Sequence, residues 1–370
     1  MKKTLVLLVA ISMVCGLSAC GGSSQTDAGV MKVAMVTDYG DITDQSFNQT
    51  AYEAIKGYCE ENGIAYSYYR PNGDSTAERV AMVDKAVADG FTVLVLPGFV
   101  FGETIAQVAD IYPETTFIAL DVAESSLGEY TLPENAFSAV YQEELSGYMA
   151  GYAAVKLGYK HLGYLGGMAS PAVLRFGYGF VQGVDAAAAE LGVADEIIVE
   201  WAYGNQFHGD ADITAVMDTW YGKKGVECVF ACGGGIYTSV AEAASKVGGK
   251  IIGVDVDQAA VIDTTYGEGM TVTSAMKGLA LTVRTMLSEV AAGNFKNYGG
   301  KVMTMGLVSG NPADNYVQLA PSTQYEDGKF TEADYEAMVA GMYNGDIVVS
   351  NDITVMPEVD VIINDYGNLK

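Results

Sequence analysis

Aspartates recur in this 370-residue chain at one kind of place, directly after a short apolar run. Asp38 follows Val33–Thr37, Asp121 follows Thr116–Leu120, and Asp255 follows Lys250–Val254. Glycines hold neighbouring or equivalent points, at Gly40, Gly98, Gly166-Gly167, Gly204 and Gly233–Gly235. Lysine and arginine are nearly absent from them, so these points are not built to grip phosphate. A carboxylate can accept two hydrogen bonds from vicinal hydroxyls, and an aromatic face can stack on a sugar or a base. The chemistry offered is recognition of a neutral, hydroxyl-rich ligand. In Asp44-Gln45-Ser46-Phe47-Asn48, Asp44 or Ser46 suits a helix N-cap. Asn48 then lies in the first turn, where its amide can donate and accept, as reading a nucleobase edge requires; a merely solvated Asn48 fits the same spacing.

Other chemistries are excluded early. The only histidines, His161 and His208, stand apart in sequence, which leaves no Ser-His-Asp triad and no histidine metal site in view. Lys+Arg is 20 against 46 Asp+Glu, a net charge of −26, so a nucleic-acid partner is excluded by repulsion. Asp255-x-Asp257 lacks the regularly spaced oxygens of a calcium loop. Gly233–Gly235 lacks the spacing of a dinucleotide turn. Neither metal nor cofactor is expected. Cys228 and Cys232, four apart on one strand, would sit ~13 Å apart, too far to bridge. With Cys59 they are expected to be buried, reduced thiols.

These points must be positioned by strands and helices. From about Met31, apolar runs alternate with stretches of helical spacing. Ser46–Glu61 repeats Phe47, Ala51, Ala54-Ile55 and Tyr58, then stops at Asn62-Gly63. The β-α-β alternation continues to Asp121, and after a long helical stretch at Glu143–Leu157 it restarts at His161 and runs to Asp255. The expected fold is α/β, with two doubly wound parallel-sheet lobes joined by a hinge, because parallel strands need helical crossovers. In open parallel sheets ligands bind beyond the carboxyl ends of the strands, where these aspartates and glycines lie. The first lobe is expected over 31–141 and 272–297 and the second over 142–271 and 298–370, with crossings near Tyr141, Thr271 and Asn297.

The chain opens with Lys2-Lys3 and an apolar run, Leu5–Val14, too short to span a bilayer. Leu17-Ser18-Ala19-Cys20 resembles a bacterial lipobox. This implies a signal peptide over 1–19, lipidation of Cys20, a flexible tether over 20–30 and a lipid-anchored location on the extracytoplasmic face of the cell membrane.

The ordered set Asp38-x-Gly40, Asp44-x-Ser46-Phe47-Asn48, Ala119-Leu120-Asp121, Gly166-Gly167, Phe176-x-x-Gly179-Phe180-x-x-Gly183, Gly204-x-x-Phe207, Gly233–Gly235, Gly253-Val254-Asp255-x-Asp257-Gln258 and Thr273-Ser274-x-x-Lys277 resembles the basic membrane protein family. These are PnrA-like purine nucleoside-binding lipoproteins of ABC importers, and the likeness covers about residues 32–310. The resemblance implies a periplasmic-binding-protein type I fold that closes on a nucleoside and hands it to a transporter permease. It implies that Phe47 and Phe207 stack on the base, that Asn48 and Asp121 bond its edge, and that Asp255 and Lys277 hold the ribose. Gly235 would give a backbone contact, and Asp38 would shape the mouth of the first strand. The polar stretch Gly204–Asp210 departs from the family pattern, so Tyr39, Phe176 or Trp201 could share the stacking. Each residue also has a plainer role: Phe47 as core, Lys277 as a surface lysine near a helix start, Asp121 as a turn cap. Competing readings are a flavin- or sugar-binding lipoprotein, a signalling or adhesive surface lipoprotein, and a carboxylate-dependent nucleoside hydrolase.

Overall fold

A computed structural model describes residues 31–38 and 40–369; the expected signal peptide, Cys20 and Tyr39 lie outside the described residues. The chain first lays down β1 (Lys32–Val36), α1 (Phe47–Asn62), β2 (Ala65–Tyr69), α2 (Thr76–Ala88), β3 (Val93–Pro97), α3 (Phe101–Val108), β4 (Thr116–Leu120), α4 (Glu124–Leu127) and β5 (Ala136–Tyr141). It then builds α5 (Glu143–Lys156), β6 (His161–Gly166), α6 (Pro171–Leu191), β7 (Ile198–Tyr203), α7 (Ala211–Thr219), β8 (Cys228–Cys232), α8 (Tyr237–Ser245), β9 (Lys250–Asp255), α9 (Ala259–Tyr266) and β10 (Thr271–Lys277). The last part holds α10 (Leu279–Ala291), β11 (Lys301–Met305), β12 (Val317–Leu319), α11 (Glu332–Asn344) and β13 (Ile362–Asn368).

The strands form two sheets, ordered β11-β5-β4-β3-β1-β2 and β12-β10-β9-β8-β6-β7-β13. All pairings are parallel except β10 with β12. The central strands β3, β5 and β8 are buried along their whole length. Helices cover both faces of such strands, which is why they read as continuous apolar runs and not as alternating ones. Cys59, Cys228 and Cys232 are buried free thiols.

Sheet membership moves two of the expected crossings. β10 pairs with β9, so 272–277 belongs to the second sheet, and the chain returns to the first lobe only at Gly278. β11 pairs with β5, so 301–305 belongs to the first sheet. The three crossings are hydrogen-bonded to one another. Gln142 N–H donates to Met305 O (2.9 Å), Leu307 N–H to Gln142 Oε1 (3.1 Å), Tyr316 N–H to Gly306 O (3.0 Å) and Gly278 N–H to Tyr316 O (2.7 Å). The hinge is therefore a small sheet-like bundle and not a loose linker. α11 and β13 belong to the second lobe: Leu319 N–H donates to Tyr335 Oη (2.9 Å), and β13 adds an edge strand beside β7.

α5 and α6 approach backbone to backbone. A Cβ at Gly147 would lie 2.1 Å from Phe176 O, and one at Gly179 would lie 2.0 Å from Glu144 O. Glycine at these positions brings the first turn of α5 against the residues that face the cleft.

Candidate functional site

The first lobe's contribution starts with a helix cap. Asp44 accepts the backbone N–H groups of Ser46 (2.9 Å), Asn48 (2.9 Å) and Gln49 (3.0 Å). Burial pushes the Asp44 carboxyl above its usual range, and these donors oppose the shift. The cap fixes Asn48, which is 5% exposed. Its Nδ2 donates to Asp38 Oδ1 (3.4 Å) and Asp44 Oδ2 (3.3 Å), while its Oδ1 is buried without a hydrogen-bond partner.

The two strand-end aspartates share an unusual backbone. Asp121 has φ 62° and Asp255 has φ 67°, the left-handed region. Asp is among the few residues that visit it, because its short polar side chain can bond locally. One such residue closes β4 in the first lobe, and the other is the last residue of β9 in the second.

Lys277, the last residue of β10 and not a helix start, sits between them with its side chain 2% exposed. Its Nζ lies 2.6 Å from Asp121 Oδ2, 3.5 Å from Glu143 Oε1 and 3.6 Å from Asp255 Oδ1. It also lies over the rings of Phe47 (4.8 Å), Tyr141 (5.5 Å) and Phe176 (5.5 Å), a cation–π geometry. Burial works against the ammonium, but Asp121, Asp255 and Glu143 outweigh it and hold Lys277 protonated. Burial also raises the Asp121 carboxyl, against the pull of Lys277. Glu143 is held from its other side by Arg175 Nε at 2.6 Å. Two cations thus face three carboxylates, and the cluster keeps a residual negative character suited to hydrogen-bond donors and not to anions.

Hydrogen bonds at two further points join the lobes among the described residues. Ser46 Oγ donates to Asp255 Oδ2 at 2.7 Å, and Gln258 Nε2 donates to Gln45 O at 3.2 Å.

Between these groups lies a cavity of ≈ 590 Å³, its mouth included. Asp38, Phe47, Asn48, Asp121, Phe207, Asp255 and Lys277 all line it, as does Phe176. Phe207 follows β7, and its ring occupies the space that a side chain at Gly167 would need, 2.4 Å from Cδ1 to such a Cβ. Two expected residues stand apart. Gly235 lines the outer mouth: its N–H is committed to Phe207 O (2.9 Å) and its carbonyl accepts Thr238 Oγ1 (2.9 Å). Gly233 and Gly234 line the cavity in its place. Trp201 is fully buried, stacked on Tyr164 with centroids 4.1 Å apart, and takes no part in the lining. A strand residue pointing into the sheet–helix core cannot also reach the strand ends.

Sequence reasoning missed Glu143, Arg175 and the bridging role of Ser46. Glu143 reads as an ordinary acidic first-turn residue. Only the lobe crossing buries it, so no local signal could have found it.

A family profile described as ABC transporter substrate-binding protein, PnrA-like, matches residues 31–334. A nucleoside-binding protein of an ABC transporter from Lactococcus lactis, BmpA, is 27% identical over 84% of this chain and 90% of its own length. Basic membrane protein B of Borreliella burgdorferi is 27% identical over 82% of this chain and 84% of its own. An uncharacterized lipoprotein of Pyrococcus furiosus is 26% identical over 91% of this chain and 83% of its own. Among solved structures, solute-binding proteins of ABC transporter systems share the fold. The one from Aeropyrum pernix has a TM-score of 0.66 at 22% identity, over 87% of this chain and 88% of that one. The one from Conexibacter woesei has 0.65 at 22% identity, over 87% and 99%. Among the described residues no helix is long and apolar enough to cross a membrane.

Proposed function

This chain belongs to the PnrA-like family of ABC transporter substrate-binding proteins, and on that premise we propose that it captures a purine nucleoside between its lobes for delivery to a transporter permease. The observation that carries the reading is the composition of the cleft. Aromatic rings come from both lobes, Phe47 from the first and Phe176 and Phe207 from the second, and a buried lysine stands among carboxylates at the strand ends. Rings suit a base, which every nucleoside presents as a π-face. The strand-end carboxylates Asp121 and Asp255 suit a donor-rich ligand, with Asp255 and Lys277 at the ribose hydroxyls. Asn48 and Asp121 bond the base, and Phe47 and Phe207 stack on it. The chain acts as a receptor and not as an enzyme, tethered through Cys20 on the outer face of the membrane.

A thermal-shift panel tests this, using purine and pyrimidine nucleosides, free bases, ribose, riboflavin and glucose. At ~1,000 times Kd a ligand stabilises the folded state by about 4 kcal/mol. A shift with nucleosides but with neither bases nor ribose is the expected result. Stabilisation by riboflavin or glucose alone would replace the nucleoside.

A further inference from the structure

Two buried oxygens in the cleft have no partner within the protein, Asn48 Oδ1 and Asp121 Oδ1. Both residues line the same cavity, and both belong to the first lobe. Neither can turn a donor towards the ligand. The amide orientation of Asn48 is fixed by Asp38 and Asp44, which take its Nδ2 at 3.4 and 3.3 Å. Reversing the amide would set its oxygen against two carboxylates. Asp121 is held against the Lys277 ammonium at 2.6 Å through Oδ2, so its other oxygen is that of a carboxylate and accepts only. An unpaired buried acceptor is destabilising, and more so when charged. The preferred ligand is the one that satisfies both.

We propose that Asn48 Oδ1 and Asp121 Oδ1 each accept an N–H from the base, and that the site therefore selects a guanine nucleoside. This rests on the nucleoside reading above. Guanine alone among the common bases carries two donor atoms, N1–H and the 2-amino group. Hypoxanthine and uracil carry one each. Adenine and cytosine carry one amino group beside a ring nitrogen that accepts, and such a nitrogen placed against either the Asn48 amide oxygen or the Asp121 carboxylate is repelled. The residual negative character of the Lys277 cluster acts in the same direction.

Titration calorimetry of the protein with guanosine, inosine, adenosine and cytidine tests the assignment. Guanosine is expected to bind roughly tenfold or more tighter than inosine, the loss of one of the two hydrogen bonds to buried acceptors, with adenosine and cytidine weaker again. Guanosine and inosine bound equally, or adenosine bound as tightly as guanosine, overturns the two-donor assignment while leaving the nucleoside reading intact. Binding of no nucleoside at all overturns both. Asn48→Ala provides a readout that folding alone does not move: the guanosine-to-adenosine affinity ratio should fall by about tenfold. An unchanged ratio, with both affinities lowered together, removes Asn48 from base selection.

Discussion

Lys277 is the residue on which the cleft depends. It is buried, and its ammonium is the shared partner of Asp121, Glu143 and Asp255. Breaking a buried ion pair by removing one partner costs about 3–5 kcal/mol, because the remaining charge stays buried and uncompensated. Lys277→Met should therefore lower the urea midpoint sharply at neutral pH. Burial already raises the Asp121 carboxyl, and without the lysine it should rise further. An acid whose folded pKa exceeds its unfolded value binds more protons when folded, so the variant should regain stability as pH falls through that raised value. A deficit that does not shrink on acidification contradicts the cluster's account. Phe207 makes a cleaner functional probe, since its ring is half-buried at the cavity. Phe207→Ala should weaken nucleoside binding by about 1–3 kcal/mol, the range for loss of one stacking partner, measured by calorimetry. Unchanged affinity would transfer that role to Phe176.

Among the elements, α5 carries an internal tension. Glycines let it press against α6, and this closeness buries Glu144 in its first turn, at 3% exposure. Glu144 Oε2 has no hydrogen-bond partner, and burial pushes the carboxyl up to about 7. In the unfolded chain the group titrates near its ordinary 4.5. Between those values the folded state holds the extra proton, so stability is lost as pH rises through this window, on the order of 3 kcal/mol in full. Glu144→Gln should remove that slope and raise the melting temperature at pH 8 but not at pH 4. Parallel pH–stability curves for the two proteins would show that Glu144 titrates normally. Most helices and strands of both halves were legible from apolar spacing and from stops such as Asn62-Gly63. β5, β10 and the elements after β11 were less so, because β5 and β10 are completed on one side by strands that come later in the chain, β11 and β12. β10 in particular supplies Lys277, and its strand character is set by β9 and β12 on either side.

Across the whole molecule, the hydrogen bond from Ser46 Oγ to Asp255 Oδ2 stands beside the Lys277–Asp121 pair among the polar contacts that join the lobes. A hydrogen bond to a charged group contributes about 1.5–3 kcal/mol. Ser46→Ala removes this one from the closed arrangement alone, since in an opened cleft both groups meet water. The variant's radius of gyration without nucleoside, from small-angle scattering, should shift towards an opened form. Its apparent affinity should fall in proportion to the lost closed fraction. A scattering profile identical to that of the parent would mean that the hinge bundle, and not Ser46, sets closure.

The doubly repeated α/β layout, the acidic and phosphate-averse character of the strand ends, and the aspartates there are all legible without coordinates, because each rests on local pattern or on composition. Which of those groups meet is fixed by long-range packing. Packing brings Glu143 to Lys277 and Arg175 to Glu143, the closed cleft sets Ser46 against Asp255, and the core claims Trp201 while the Gly235 N–H is committed to Phe207. Burial and pairing across 100 residues or more are properties of the packed molecule: Lys277 and Asp121 are 156 positions apart in the chain and 2.6 Å apart in space.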